Sequence, residues 1–106
     1  MLSDLKVIFE MVDKLLEKRK ASQEQKTRDK VLIALFKLGN EGRQAVSVED
    51  LETKGGFSKL QISHSIELLK NKDWIIDFSS FDGLAWGLKQ EADLYVKGLL
   101  EGKQNS

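Results

Sequence analysis

The only histidine of this chain, His64, lies between two serines, which is as close as the sequence comes to a nucleophilic active site. Such catalysis needs a hydroxyl beside a base and a third group that orients the base. Ser63 and Ser65 point in different directions around the helix predicted here, so they cannot both meet His64 in that geometry. We therefore expect a protein that is not an enzyme.

An acidic cluster and a glycine pair are the other groups that suggest chemistry. Glu49, Asp50 and Glu52 suggest acid–base work or a hard-cation site. Carboxylates also favour the N-terminal end of a short helix through its dipole, and no calcium-type loop surrounds these three. Gly55-Gly56 lacks the spacing of a phosphate-binding loop. We interpret the acidic residues as the start of a helix and the glycines as a turn.

The composition excludes several classes of function. Lysine plus arginine and aspartate plus glutamate number 17 each, so the chain has no global positive field. The absence of cysteine excludes disulfides, thiolate catalysis and cysteine-rich zinc sites. One histidine cannot form a multi-histidine metal site. We therefore expect no metal and no cofactor.

A length of 106 residues and a hydrophobic content of 41% predict one domain with a modest core. The apolar segment Leu2–Leu16 is interrupted by five charged residues, so neither a signal peptide nor a membrane span is expected there. We expect a soluble cytoplasmic protein with no membrane partner.

The segment from Ser58 onward predicts a capped amphipathic helix. Ile62, Ile66 and Leu69 fall at i, i+4 and i+7, which places them on one face. Ser58 and Gln61 have the spacing of a capping box at its start. The pattern predicts that this helix ends near residue 72 or 73.

Extended chain is predicted directly after that helix. Trp74–Phe78 is aromatic and β-branched, which favours a strand. Ser79–Gly83 is typical of a hairpin loop, and Leu84–Leu88 of the returning strand. The sequence therefore predicts a small β-hairpin.

Four further elements complete the predicted order. They are a helix from the cap Ser22 through Leu38, stopped by Gly39 and Gly42; a strand stub at Ala45–Val48; a short helix through Leu51 capped near Ser47; and a helix over Gln90–Leu100 ending at Gly102. Residues 1–22 are predicted to form an N-terminal amphipathic helix, residues 23–102 the main domain and residues 103–106 a frayed tail.

The N-terminal helix carries an apolar stripe at spacings of three and four: Leu2, Leu5, Phe9, Val12 and Leu16. A lone helix of this length is marginal in water, so its stripe must pack either on its own domain or on a second copy. We favour a homodimer in which Leu5, Phe9, Val12 and Leu16 form the contact, and we keep internal packing as the alternative.

This order of helix, strand stub, helix, turn, helix and two-stranded hairpin resembles the winged helix-turn-helix superfamily and, within it, the MarR-type regulators. The resemblance covers roughly Thr27–Leu100, and its closest stretch is SKLQISHSIELLKNKDWI. It shows a serine-rich helix start, buried aliphatic residues and a lysine-containing entry into the wing. The resemblance implies a mainly α fold with a small β-hairpin (α+β), to which an N-terminal and a C-terminal helix are added.

The resemblance also implies a function, namely binding of double-stranded DNA by a small transcriptional regulator acting as a dimer. In that family the third helix enters the major groove, where polar side chains read bases and cations neutralise phosphates. The predicted DNA contacts are Ser58, Lys59, Gln61, Ser63, His64, Lys70 and Lys72, with Arg28 and Lys30 from the basic stretch Glu17–Lys30.

A second hypothesis is a winged helix used as a protein-interaction module without sequence-specific DNA binding. Its predicted contacts are Leu60, Leu68 and Phe81. The hairpin loop contains no lysine or arginine and is flanked by Asp77 and contains Asp82, which disfavours a wing in a minor groove. The neutral net charge and this acidic loop favour the second hypothesis.

Overall fold

The computed structural model describes residues 2–101, with side chains from Leu5 onward. Its elements in chain order are α1 (Leu2–Lys18), α2 (Gln23–Leu38), β1 (Val46–Ser47), α3 (Val48–Thr53), α4 (Lys59–Asn71), β2 (Ile75–Asp77), β3 (Ala85–Leu88) and α5 (Gln90–Leu100). The predicted mainly helical α+β class is confirmed. The predicted helix end at Gly102 and the tail 103–106 lie outside the described residues.

Serine caps start three of these helices, as the local sequence predicts. The Ser22, Ser47 and Ser58 side chains accept hydrogen bonds from the backbone N–H three residues later. At α4 the box is complete, because the Gln61 side chain also accepts a hydrogen bond from the Ser58 backbone N–H at 3.0 Å. The end of α4 also agrees with the prediction, since Lys72 is its C-cap.

The strands form one antiparallel sheet in the order β1-β3-β2. β2 and β3 are the predicted hairpin, with Ile76 opposite Gly87 and Asp77 opposite Trp86. The predicted strand stub is β1, which pairs with the far side of β3, where Val46 lies opposite Trp86. The sheet therefore has three strands, and the hairpin is one part of it.

The core is built around α2. Six consecutive residues of this helix, 31–36, are at most 3% exposed, so α2 is buried on every side over nearly two turns. α1, α3, α4, α5 and β3 all pack against it. Gly39, at its C-cap, leaves no room for a side chain, because an added Cβ would lie 2.5 Å from the Gln44 carbonyl oxygen.

The apolar stripe of α1 packs inside the chain. Leu5, Val12 and Leu16 are 5%, 2% and 0% exposed, and the Phe9 ring lies 5.6 Å from that of Phe57. The structure shows internal packing, the alternative, for Leu5, Val12 and Leu16, whose side chains are covered by the chain's own core, and the homodimer stays a prediction. The Leu2 side chain lies outside the described residues.

Three loops contain non-glycine residues in the left-handed region. Lys20, Asn40, Glu41 and Asp73 have φ between 56° and 60°. Such residues follow the ends of α1, α2 and α4, where a left-handed residue commonly ends a helix.

Replacement of Leu16 by alanine tests the internal packing of α1. We expect the free energy of unfolding to fall by about 2–5 kcal/mol, because the change removes a fully buried side chain. The matched control is Met11→Ala on the same helix, at a residue 59% exposed, with an expected change within about 0.5 kcal/mol. Urea denaturation at two protein concentrations measures both. Equal effects of the two changes, or a Leu16→Ala effect that vanishes on dilution, would contradict internal packing.

Candidate nucleic-acid interface

α4 presents an apolar face to the core and a polar face to the surroundings. Ile62, Ile66 and Leu69 are at most 4% exposed, as their spacing predicts. The predicted DNA contacts on this helix and at its two caps are all exposed: Ser58, Lys59, Gln61, Ser63, His64, Lys70 and Lys72. The structure therefore brings these seven residues together on one element, with their side chains accessible to a ligand.

Three exposed cations lie on α4 and at its C-cap. Among the described residues Lys59 is in no ion pair, and the Lys70 Nζ lies 3.8 Å from Asp77 Oδ2, a loose and exposed pairing. The Lys72 Nζ lies 5.0 Å from the centre of the Trp74 ring. Exposed pairs of this kind are weak, so all three ammonium groups can turn toward a phosphate.

His64 is held by a neighbouring helix. Its Nε2 lies 2.6 Å from Glu24 Oε2, in the first turn of α2. This hydrogen bond places a carboxylate beside the predicted base contacts. His64 can use Nε2 to read a base only when the bond to Glu24 is broken.

Arg28 belongs to a polar cluster inside the fold, which leaves its guanidinium little exposed for the predicted phosphate contact. Its Nη2 donates to Asp29 Oδ1 at 2.7 Å, and the two side chains are 12% and 0% exposed. Its guanidinium lies 5.7 Å from the Trp74 ring and 5.8 Å from the Tyr95 ring. The Tyr95 hydroxyl donates to the other Asp29 oxygen at 2.8 Å.

Lys30 is likewise unsuited to a phosphate contact. Its Nζ lies 3.2 Å from the Asp13 carboxylate on α1, and its side chain is 20% exposed. Arg28 and Lys30, both within α2, thus connect this helix to α5 and to α1 through their side chains. Each of these two cations is paired within the chain and mostly covered, which disfavours the predicted phosphate contacts.

A groove of about 600 Å³ lies between α4 and the hairpin. Its apolar lining is Val48, Ile62, Ile66, Leu84 and Trp86, and its polar lining is Lys59, Ser63, Glu67, Lys70 and Asp77. Trp86 is 4% exposed, and its indole Nε1–H has no hydrogen-bond acceptor among the described residues. The groove joins three predicted DNA contacts to an apolar floor.

The hairpin carries exposed apolar side chains. Ile76, Phe78, Phe81 and Leu84 are each at least 40% exposed, and Phe81 is fully exposed. Of the other predicted protein contacts, Leu60 is 80% exposed and Leu68 is half-buried.

The hairpin also carries negative charge beside the groove. Hydrogen bonds from Ser79 lower the pKa of Asp77, so this carboxylate stays ionised.

The sequence predicted neither the groove nor the Arg28 cluster. Asp29 and Tyr95 are 66 residues apart, and Arg28 and Tyr95 are 67 apart, so no local pattern connects them. The sequence around Trp86 shows only the alternation typical of a strand. That pattern does not indicate which other element packs on the Trp86 side chain. The one usable signal is that alternation, since it places Leu84 and Trp86 on the same face of the predicted returning strand Leu84–Leu88.

Among the described residues no group of three or more histidine, aspartate or glutamate side chains is placed to hold a metal ion, and no described helix is long and apolar enough to span a membrane. Comparison with protein-family models, curated proteins and solved structures finds no match to this chain.

Tyr95 is the only tyrosine of the chain, which makes its environment measurable. Burial, and next the Asp29 charge, raise the pKa of Tyr95 from 10.0 to about 12. Because the folded pKa lies above the unfolded one, the stabilising contribution of this group is complete below pH 10 and is lost as the pH rises through about 12. We expect tyrosinate absorbance to appear with a midpoint near 12 in the folded protein and near 10 in urea. A folded-state midpoint near 10 would contradict the buried cluster.

Proposed function

We propose that this chain is a winged-helix protein that binds double-stranded DNA through α4 and acts as a small transcriptional regulator. The order of helices and strands supports the winged-helix assignment, with α2, β1, α3, α4 and the β2–β3 hairpin following one another and the sheet ordered β1-β3-β2. In such an arrangement α4 is the helix that enters the major groove.

The observation that carries the proposal is the polar face of α4. Lys59, Gln61 and Ser63 are exposed in its first turns, where a helix entering a major groove contacts base edges. Lys70 and Lys72 lie at the other end of the helix and supply phosphate contacts. With Arg28 and Lys30 engaged elsewhere, the phosphate contacts reduce to Lys59, Lys70 and Lys72.

The absence of a large positive surface makes the expected affinity modest and sensitive to salt. Three phosphate contacts give a slope of about −2.7 for the logarithm of the binding constant against the logarithm of salt concentration. Specificity then depends on the few base contacts, chiefly Gln61 and Ser63.

Lysine substitutions on α4 test this proposal. Lys59→Ala and Lys70→Ala are each expected to weaken binding to duplex DNA and to make the salt slope shallower by about 0.9. The control is Lys97→Ala on α5, whose ammonium lies 3.1 Å from Asp93 and which should leave both quantities unchanged. Fluorescence anisotropy across a salt series measures affinity and slope. If all three variants match the unmodified protein, α4 is not the DNA-binding surface.

A second candidate function, docking of a partner protein, is favoured by Leu60. This side chain is 80% exposed. It lines a shallow surface pocket together with Gln23, Thr27 and His64. A large exposed leucine contributes nothing to reading polar base edges, and it gains most by burial against an apolar side chain of a partner.

Replacement of Leu60 by aspartate tests this second candidate. We expect it to abolish retention of a partner by the immobilised protein without changing the unfolding temperature, because the side chain lies outside the core. Leu94→Asp on α5, at a residue 60% exposed, is the matched control and should retain the partner. A partner that both variants retain equally does not bind at Leu60.

A further inference from the structure

Glu24 and His64 form a hydrogen-bonded pair beside the polar face of α4. The His64 Nε2 lies 2.6 Å from Glu24 Oε2, and the two side chains are 49% and 68% exposed, respectively. Gln61, a proposed base contact, lines the same shallow surface pocket as both members of the pair. A ligand that reaches Gln61 therefore meets the Glu24–His64 pair as well.

The hydrogen bond determines what this pair offers to a ligand. An ionised carboxylate has no proton to donate, so the proton of the bond must belong to Nε2 of the imidazole. In a neutral ring Nδ1 is then an acceptor, and it makes no hydrogen bond within the described part of the chain. Glu24 Oε1 likewise has no partner there. The pair thus presents two acceptors and no donor.

Such a pair fits an amino group and does not fit a phosphate. With a neutral ring it carries one negative charge, which the phosphate backbone repels. In the major groove, cytosine N4 and adenine N6 are the donors, whereas guanine and thymine present only acceptor atoms there. A carboxylate that accepts a hydrogen bond from cytosine N4 is a known pairing.

We propose that Glu24 is a specificity-determining residue, which together with His64 selects a base with an amino group in the major groove and rejects guanine and thymine at that position. This inference rests on the DNA-binding function proposed above. It gives a role in base selection to a residue of α2, outside the helix that supplies the other base contacts. Glu24 and His64 are 40 positions apart, so no local pattern connects them.

Replacement of Glu24 by glutamine tests the proposal, because it keeps the shape of the side chain and adds an N–H donor. Duplexes are selected from a random-sequence library at about pH 8, above the range in which imidazoles ordinarily titrate. We expect the unmodified chain to prefer cytosine or adenine over guanine at one position about tenfold, measured by fluorescence anisotropy on single-base variants of the selected site. Glu24→Gln should reduce this preference to about threefold or less. The recovered base distinguishes cytosine from adenine.

Glu67→Gln is the matched control. Glu67 is exposed on α4, so its replacement removes one negative charge near the same face without touching the pair. Both variants should bind duplex DNA more tightly, and only Glu24→Gln should change the base preference. Unchanged preferences in Glu24→Gln, or equal changes in the two variants, would overturn this inference alone. No binding of duplex DNA by the unmodified chain would refute the DNA-binding proposal and this inference together.

The free protein allows a second test without DNA. His64 is the only histidine, so the imidazole signals in a long-range ¹H–¹⁵N spectrum belong to it without further assignment. At about pH 8 we expect the ring proton on Nε2 and an Nε2 shift that changes in Glu24→Gln but not in Glu67→Gln. A ring proton on Nδ1, or an Nε2 shift that Glu24→Gln leaves unchanged, would overturn the proposed role of the pair.

Discussion

The burial of α2 on all sides is the constraint on which the rest of this structure depends. A segment of six consecutive residues, 31–36, that excludes water around its whole circumference needs partners in every direction. α1 and α5 cover it on one side, and α3, α4 and β3 on the others. α4 and the hairpin are therefore positioned by their packing on a common helix, and the groove between them follows from that arrangement.

The same burial explains the polar cluster at the start of α2. Asp29 is completely buried one turn before residue 33, and an isolated carboxylate there would be very costly. Arg28 and Tyr95 supply its hydrogen bonds, and Trp74 packs against both of them, with its ring 4.9 Å from that of Tyr95. This cluster ties the entry of the hairpin to α5. Loss of Arg28 would leave the buried Asp29 charge unpaired, which is more damaging than loss of an exposed ion pair.

Local sequence patterns predicted the helices and strands well. They could not predict which of these elements pack against one another. Serine caps and apolar spacing identify α2, α3 and α4 because they depend on neighbours within one turn. Whether the apolar stripe of α1 packs on its own chain depends on how much of the α2 surface the other elements leave uncovered. The spacing of residues along α1 carries no information about that surface. The surroundings of Arg28 were unpredictable for a related reason: a run of basic residues appears solvated until Tyr95, 67 positions away, is brought against it. The exposed residues of α4 could be predicted from the sequence. The groove could not, because it forms only where the sheet lies beside α4.

The sheet has very short edge strands, and it exposes apolar side chains on and beside its hairpin. β1 and β2 form its two edges and have two and three residues, while the exposed apolar side chains lie on and beside the hairpin. Edges this short offer too few free N–H and C=O groups to template the addition of another chain's strand. The protein can thus display aromatic surface on its hairpin with little tendency to add strands of another chain to its sheet.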